Sequence, residues 1–102
     1  MLRVTSSVVG DNIVFEFTDT NKLVMSLGDF FNVLETFHHT LLNEEISLEG
    51  IDSESLEIIN RFDFTESLTC GIIGYCGEYV STTEFLRATD NILNYCIEHL
   101  AL

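Results

Sequence analysis

The spacing of apolar residues changes near residue 27, and this change limits the chain to folds that combine strands with helices. Before it, Ile13, Phe15 and Phe17 alternate with their neighbours, which is the period-2 pattern of a half-buried strand. A Gly-Asp-Asn cluster precedes this stretch and an Asp-Thr-Asn-Lys cluster follows it, and both are rich in turn-forming residues. Apolar and β-branched residues lie beyond both clusters. We therefore predict a three-stranded antiparallel meander over residues 2–27.

Beyond residue 27 the apolar residues recur at helical spacing. Ser26 and Asp29 have the spacing of a capping box, in which the Ser hydroxyl accepts a free backbone N–H and the acid reaches back. The stripe that follows predicts a helix over about residues 28–43, packed on the meander. Its apolar members are Phe30, Val33, Leu34, Phe37 and Leu41, and Phe31, His38 and Leu42 widen it.

Two more helices are expected towards the C-terminus. Asp52 or Ser53 can cap a short acidic helix over about residues 54–62. Ser81 and Glu84 form a second capping-box candidate, which opens a helix over about residues 82–100. Its apolar stripe is again broad and contains Phe85, Thr89, Ile92, Cys96 and Leu100, with Leu86, Leu93 and Ile97 beside them.

These patterns predict a single α+β domain over residues 1–102. It would consist of the N-terminal three-stranded antiparallel meander, a long helix, a short acidic helix, a glycine-rich element and a C-terminal helix. Hydrophobic residues make up 46% of the chain, which is enough to fill one core at this length.

The charge of the chain is strongly one-sided. Seventeen acids face four bases, for a formal net charge of −13. Direct binding to nucleic acid is disfavoured, because it depends on cations that neutralise phosphates, and anionic membrane surfaces are disfavoured for the same reason. The first ten residues lack the apolar run of a secretory signal, and the three cysteines are an odd number. We expect a cytoplasmic protein with reduced thiols, and a basic protein surface as its partner.

The carboxylates are densest in residues 44–66, where eight acids accompany Arg61 as the one cation. We call these residues the acidic segment. Carboxylates in this arrangement steer a basic partner and raise its association rate. Its alternative interpretation is a solvated face that keeps a small protein in solution. The predicted partner-binding residues are Glu44, Glu45, Glu49, Asp52, Glu54, Glu57, Asp63 and Glu66, and Glu35 and Asp29 are considered as extensions of the row.

Residues 70–77 read CGIIGYCG and raise a separate question. Their glycines match neither GxGxxG nor GxxxxGK[ST], and no Lys or Arg lies between Arg61 and Arg87, so a phosphate cradle is disfavoured. Tight backbone packing is the favoured interpretation, and the sequence leaves open whether residues 66–78 form a helix or a strand. In either case the core contacts are expected from Leu68, Ile72, Ile73 and Tyr75.

A zinc site made by Cys70, Cys76, Cys96 and His99 is a minor alternative, since thiolates and imidazole suit zinc. Its C-x5-C spacing is unusual, and Cys96 belongs to an apolar stripe, where a free cysteine packs as a small hydrophobic residue. We therefore predict no metal and no cofactor. An enzyme is disfavoured as well, because a reactive thiolate needs a positive environment and this chain offers a negative one.

Two functions remain. The first is a small acidic protein-binding module that inhibits or neutralises a basic partner, as immunity, anti-restriction and phage-encoded anti-defence proteins do, in the manner of a DNA mimic. The second is a structural or assembly module, or a small chaperone, that works as a homodimer or larger homo-oligomer. The broad apolar stripes of both long helices favour the second, because one copy would leave part of them exposed.

Overall fold

The N-terminal part of the chain is a three-stranded antiparallel sheet, as predicted. In the computed structural model, β1 (Val4–Val9), β2 (Asn12–Phe17) and β3 (Lys22–Ser26) pair in the order β1-β2-β3. The structure describes residues 1–18, 22–45 and 47–99, so most of the predicted Asp-Thr-Asn-Lys turn lies outside the described residues. The alternating residues of β2 face the core, where Phe15 is fully buried.

The first long helix, α1 (Leu27–Leu41), begins directly after the sheet. The Ser26 hydroxyl accepts the backbone N–H of Asp29 at 3.1 Å, which confirms half of the predicted capping box. The other half is wrong, because the Asp29 carboxylate accepts a hydrogen bond from the Ser55 hydroxyl and lies buried between two helices. The side chains of Phe30 and Val33 are buried on the inner face of α1.

The short helix α2 (Ser53–Ile59) packs on α1 and is capped by Asp52, whose carboxylate accepts the Ser55 N–H at 2.7 Å. It ends three residues earlier than predicted. Phe62, expected on the inner face of this helix, belongs to a strand and pairs with Tyr75. The boundary was misplaced because this strand is only two residues long and carries no periodic signal of its own.

A second antiparallel sheet follows, which the sequence analysis did not predict. It contains β4 (Phe62–Asp63), β5 (Ile72–Tyr75) and β6 (Glu78–Ser81) in the order β4-β5-β6. The glycine-rich element is therefore a strand and a hairpin turn rather than a helix. Of its expected core contacts, Ile73 and Tyr75 are buried, but Leu68 is 73% exposed because it lies in the turns before β5.

Two of the glycines have specific backbone roles in this sheet. Gly77 has φ +84° and Cys76 has φ +50°, so the two-residue β5–β6 turn has the positive φ values of a type I′ hairpin. Gly74 pairs with Asp63 on β4, and a Cβ added at Gly74 would lie 3.1 Å from the Asp63 Cβ. The predicted close backbone packing is therefore confirmed for Gly74, whereas Gly71 and Gly77 have open space around them and are required by their positive φ values.

The C-terminal helix, α3 (Thr82–His99), joins the two sheets. Its start is capped by Ser81, whose hydroxyl accepts the Glu84 N–H at 3.0 Å, as predicted. The Glu84 carboxylate then accepts the backbone N–H of Val4 at 3.2 Å, which ties the start of α3 to β1. Within the described residues, no helix is long and apolar enough to cross a membrane.

The core is an aromatic cluster centred on Phe85 of α3, which is fully buried. Its ring centroid lies 6.2 Å from that of Phe15 in the first sheet and 5.6 Å from that of Phe62 in the second. Phe37 of α1 approaches it edge-on at 5.6 Å. One side chain thus holds both sheets and both long helices together, as in a domain built around a single core.

Candidate functional site

All eight predicted partner-binding residues of the acidic segment are exposed to solvent. Three of them lie in irregular chain after α1, three lie at the start or on the outer face of α2, and two lie on β4 or in the turn after it. In that order they are Glu44, Glu45 and Glu49; Asp52, Glu54 and Glu57; and Asp63 and Glu66.

Two of these carboxylates accept hydrogen bonds from neighbouring residues of the chain. Asp52 caps α2, as described above. Asp63 accepts the backbone N–H of Thr65 at 3.0 Å and its hydroxyl at 2.6 Å. These two hydrogen bonds, first that from the hydroxyl and then that from the backbone, lower the pKa of Asp63 below its usual range. These hydrogen bonds limit the freedom of both carboxylates to change their orientation.

Two other carboxylates contact basic side chains. Glu44 lies 2.8 Å from Nδ1 of His39, within hydrogen-bond distance, and Nε2 of the same ring is 3.6 Å from Glu35. Glu57 lies 3.3 Å from the Arg61 guanidinium, as the i,i+4 spacing predicts. Glu57 is 73% exposed at its side chain, so water screens this pair and its contribution to stability is small.

The remaining four carboxylates, Glu45, Glu49, Glu54 and Glu66, form no salt bridge within the described part of the chain. Glu45 lines a surface pocket with Glu35 of α1, whose own side chain is 70% exposed. The acids of the segment are thus continuous with Glu35, as the sequence analysis considered. They do not extend to Asp29, which is only 8% exposed.

The minor zinc alternative does not come together in the structure. Cys70 and Cys76 are exposed and lie at opposite ends of β5, whereas Cys96 is buried in α3. The His99 ring stacks on Tyr95 with centroids 4.2 Å apart. Over residues 1–18, 22–45 and 47–99, no group of three or more His, Cys, Asp or Glu residues is placed to hold a metal ion.

Tyr75 is the one buried titratable group whose pKa is clearly shifted among the described residues. Burial raises the pKa of its phenol, the neighbouring Cys76 thiol raises it further, and the Arg61 guanidinium partly offsets both. The phenol is 2% exposed and its ring stacks on Phe17 at 4.0 Å, so it acts as core material.

Sequence reasoning missed an apolar groove between α1 and α3, lined by residues from both helices. The signal was the width of the two apolar stripes, which exceeds what one buried face requires. That signal does not tell which side of each stripe is left uncovered. Comparison with protein families, with curated proteins and with solved structures finds no match to this chain.

Proposed function

We propose that this chain is a small acidic protein-binding module that inhibits or neutralises a basic partner, such as a nuclease or another nucleic-acid-binding protein. The acidic segment provides the docking surface. Immunity, anti-restriction and phage-encoded anti-defence proteins are the functional class to which such a module would belong.

The observation that supports this proposal is the exposure of all eight carboxylates of the acidic segment, which Arg61 alone accompanies as a cation. Three of the four cations in the chain, Lys22, Arg61 and Arg87, already pair with neighbouring carboxylates. Little positive charge is left to neutralise the other acids, so the surface field stays negative.

Such a field has a definite action on a nucleic-acid-binding partner. A groove that binds duplex DNA accommodates one negative charge per ~1.7 Å of duplex axis, and these charges are distributed along the length of the groove. Carboxylates distributed from Glu44 to Glu66 would occupy that groove in place of phosphates. The partner would then be unable to bind nucleic acid while the complex lasts.

The test is a capture experiment with three immobilised proteins. The first is the wild type. The second carries Glu44→Gln, Glu45→Gln, Glu49→Gln and Glu54→Gln, and the third carries Asp11→Asn, Glu16→Gln, Glu78→Gln and Glu98→Gln. Both variants lose the same number of charges at exposed positions, but only the first set lies in the acidic segment.

We expect the wild type and the third protein to capture the same basic protein from a lysate of the organism that carries this chain. Excess DNA and about 0.5 M salt should release it, because salt shortens the range of surface electrostatics. The second protein, which we call the segment variant, should capture much less of this partner. Equal capture by all three proteins, or capture that neither salt nor DNA affects, would contradict the proposal.

The second candidate function is an assembly module that acts as a homo-oligomer. It is favoured by exposed apolar side chains on the long helices, of which Phe31 is 39%, Leu86 is 41% and Ile97 is 63% exposed. Light scattering distinguishes the two, since this candidate predicts a dimer or larger species at micromolar concentration.

A further inference from the structure

An apolar groove of about 540 Å³ runs between α1 and α3. Phe37 and Thr89 form its deepest part, since both line it and are 4% and 2% exposed. Phe31 on one wall and Leu86 and Leu93 on the other are partly open to solvent. The groove therefore has a buried floor, supplied by the core, and walls with unburied apolar surface.

The margins of the groove are acidic. Glu35 of α1 and Asp90 of α3 both line it, and both are exposed. Glu35 also lines the pocket that contains Glu45, so the groove adjoins the acidic segment along this side. No Lys or Arg of the described residues lines the groove. Arg87, the cation of α3, lies outside it and pairs with Glu84 at 3.5 Å.

We infer that this groove binds an amphipathic helix of the basic partner, with apolar residues on the face that enters the groove and Lys or Arg along both sides. The inference rests on the proposed function and names the part of the partner that is recognised. Helix-in-groove binding uses apolar anchors at i, i+3, i+4 and i+7, which match a groove with apolar walls. Lys and Arg at the flanks of that helix would meet Glu35 and Asp90.

The length of the groove fits such a helix. Its α1 wall extends from Phe31 to Leu41, which corresponds to about 15 Å at 1.5 Å per residue. A partner helix of about three turns covers that distance and presents two or three anchors.

Charge argues against a second copy of this chain as the occupant. Each copy has a net charge of −13, and a dimer built on this groove would bring the acidic margins of both copies together. Like charges placed against each other oppose association, whereas a basic helix gains from the same margins.

The test uses two synthetic peptides of Leu and Lys, each about 14 residues long, roughly four helical turns. In one the leucines form a single helical face, and in the other the same residues are shuffled so that no apolar face exists. Fluorescence anisotropy measures the affinity of each for wild-type protein. We expect the amphipathic peptide to bind at least about tenfold more tightly than the shuffled one, a difference that charge alone does not give.

Substitutions then locate the binding. Phe31→Gln combined with Leu86→Gln should remove most of this preference, while Val24→Gln, at a 52% exposed position on β3 outside the groove, should leave it intact. The double substitution Glu35→Lys and Asp90→Lys should weaken the binding of the amphipathic peptide, although it leaves the apolar walls unchanged. Thermal unfolding confirms that each variant is folded.

Two results together would overturn this inference while leaving the proposed function intact. The first is equal affinity of the wild type for both peptides. The second is weaker peptide binding by the segment variant but not by the variants with substitutions in the groove. A wild-type dimer that Phe31→Gln and Leu86→Gln dissociate would also overturn it, because a second copy would then be the occupant. The proposed function itself is tested separately, by the capture experiment described above.

Discussion

The buried contact between Asp29 and Ser55 is the clearest case in which single residues decide the local structure. Ser55 is 1% exposed, and its hydroxyl donates to the Asp29 carboxylate while accepting from the Asn32 amide at 3.1 Å. Its backbone N–H is held by Asp52. This one side chain therefore satisfies polar groups on α1, and its backbone satisfies the cap of α2.

Ser55→Ala should lower the free energy of unfolding by about 1–3 kcal/mol, because it leaves a buried carboxylate without its donor. Urea unfolding followed by circular dichroism measures this loss. Ser53→Ala, at an exposed position on the same helix, is the matched control and should change stability much less. Equal effects of the two substitutions would show that the contact does not hold the helices together.

Tyr75 gives the protein a pH dependence on the alkaline side. Burial raises its folded-state pKa, whereas the pKa of tyrosine in an unfolded chain is about 10. The contribution of the neutral Tyr75 phenol to stability is therefore fully present below about pH 10 and is lost as the pH rises through the folded-state pKa.

Tyr75→Phe should remove this loss, so the difference in unfolding free energy between wild type and variant should change in favour of the variant above about pH 10. Urea unfolding at several alkaline pH values measures it. Parallel pH profiles for the two proteins would contradict the assignment.

At the scale of elements, the β5–β6 hairpin depends on a backbone conformation that side chains resist. Gly77→Ala should cost about 1–2 kcal/mol, because φ +84° brings a Cβ against the following carbonyl. Gly28→Ala is the opposite case, since a Cβ there meets nothing closer than the Ser26 hydroxyl at 3.8 Å and alanine favours the helix. Thermal unfolding should rank the proteins as Gly28→Ala at or above wild type and Gly77→Ala below it.

The elements also show how far a sequence can be interpreted by itself. Strands β1 to β3, both long helices and their Ser26 and Ser81 caps follow from local periodicity and capping chemistry, and the structure confirms them. The second sheet does not follow from such patterns, because β4 has two residues and is defined only by its pairing with β5. The burial of Asp29 is equally non-local, since its partner Ser55 lies 26 residues away.

The candidate site divides in the same way. Exposure of the acidic segment could be predicted, because carboxylates rarely lie inside a core. The Asp52 cap and the Glu57–Arg61 pair could be predicted as well, because both follow from local spacing. The hydrogen bonds that Asp63 accepts and the contact of Glu44 with an α1 histidine could not, since they depend on the turns after β4 and α1. The groove could not be located either, because a broad apolar stripe does not specify which of its sides another element will cover.

At the scale of the whole molecule, one aromatic core supports two sheets and leaves two adjoining features at the surface, the acidic segment and the groove between α1 and α3. In the function that we propose, the acidic segment would supply long-range attraction and the groove would supply apolar contact area at short range. Charge at this density also opposes the compact state, so the apolar surface buried in the whole core must outweigh a repulsion that is spread over the surface.

The docking role of the acidic segment is tested most directly by the salt dependence of affinity for the captured basic partner. The three proteins to compare are the wild type, the segment variant, and the control variant with Asp11→Asn, Glu16→Gln, Glu78→Gln and Glu98→Gln. We expect a steep loss of affinity with salt for the wild type and the control variant. We expect weaker binding and a shallower salt dependence for the protein with Glu44→Gln, Glu45→Gln, Glu49→Gln and Glu54→Gln. Identical affinities and identical slopes for all three would contradict this docking role and leave the acidic segment as a solvated face.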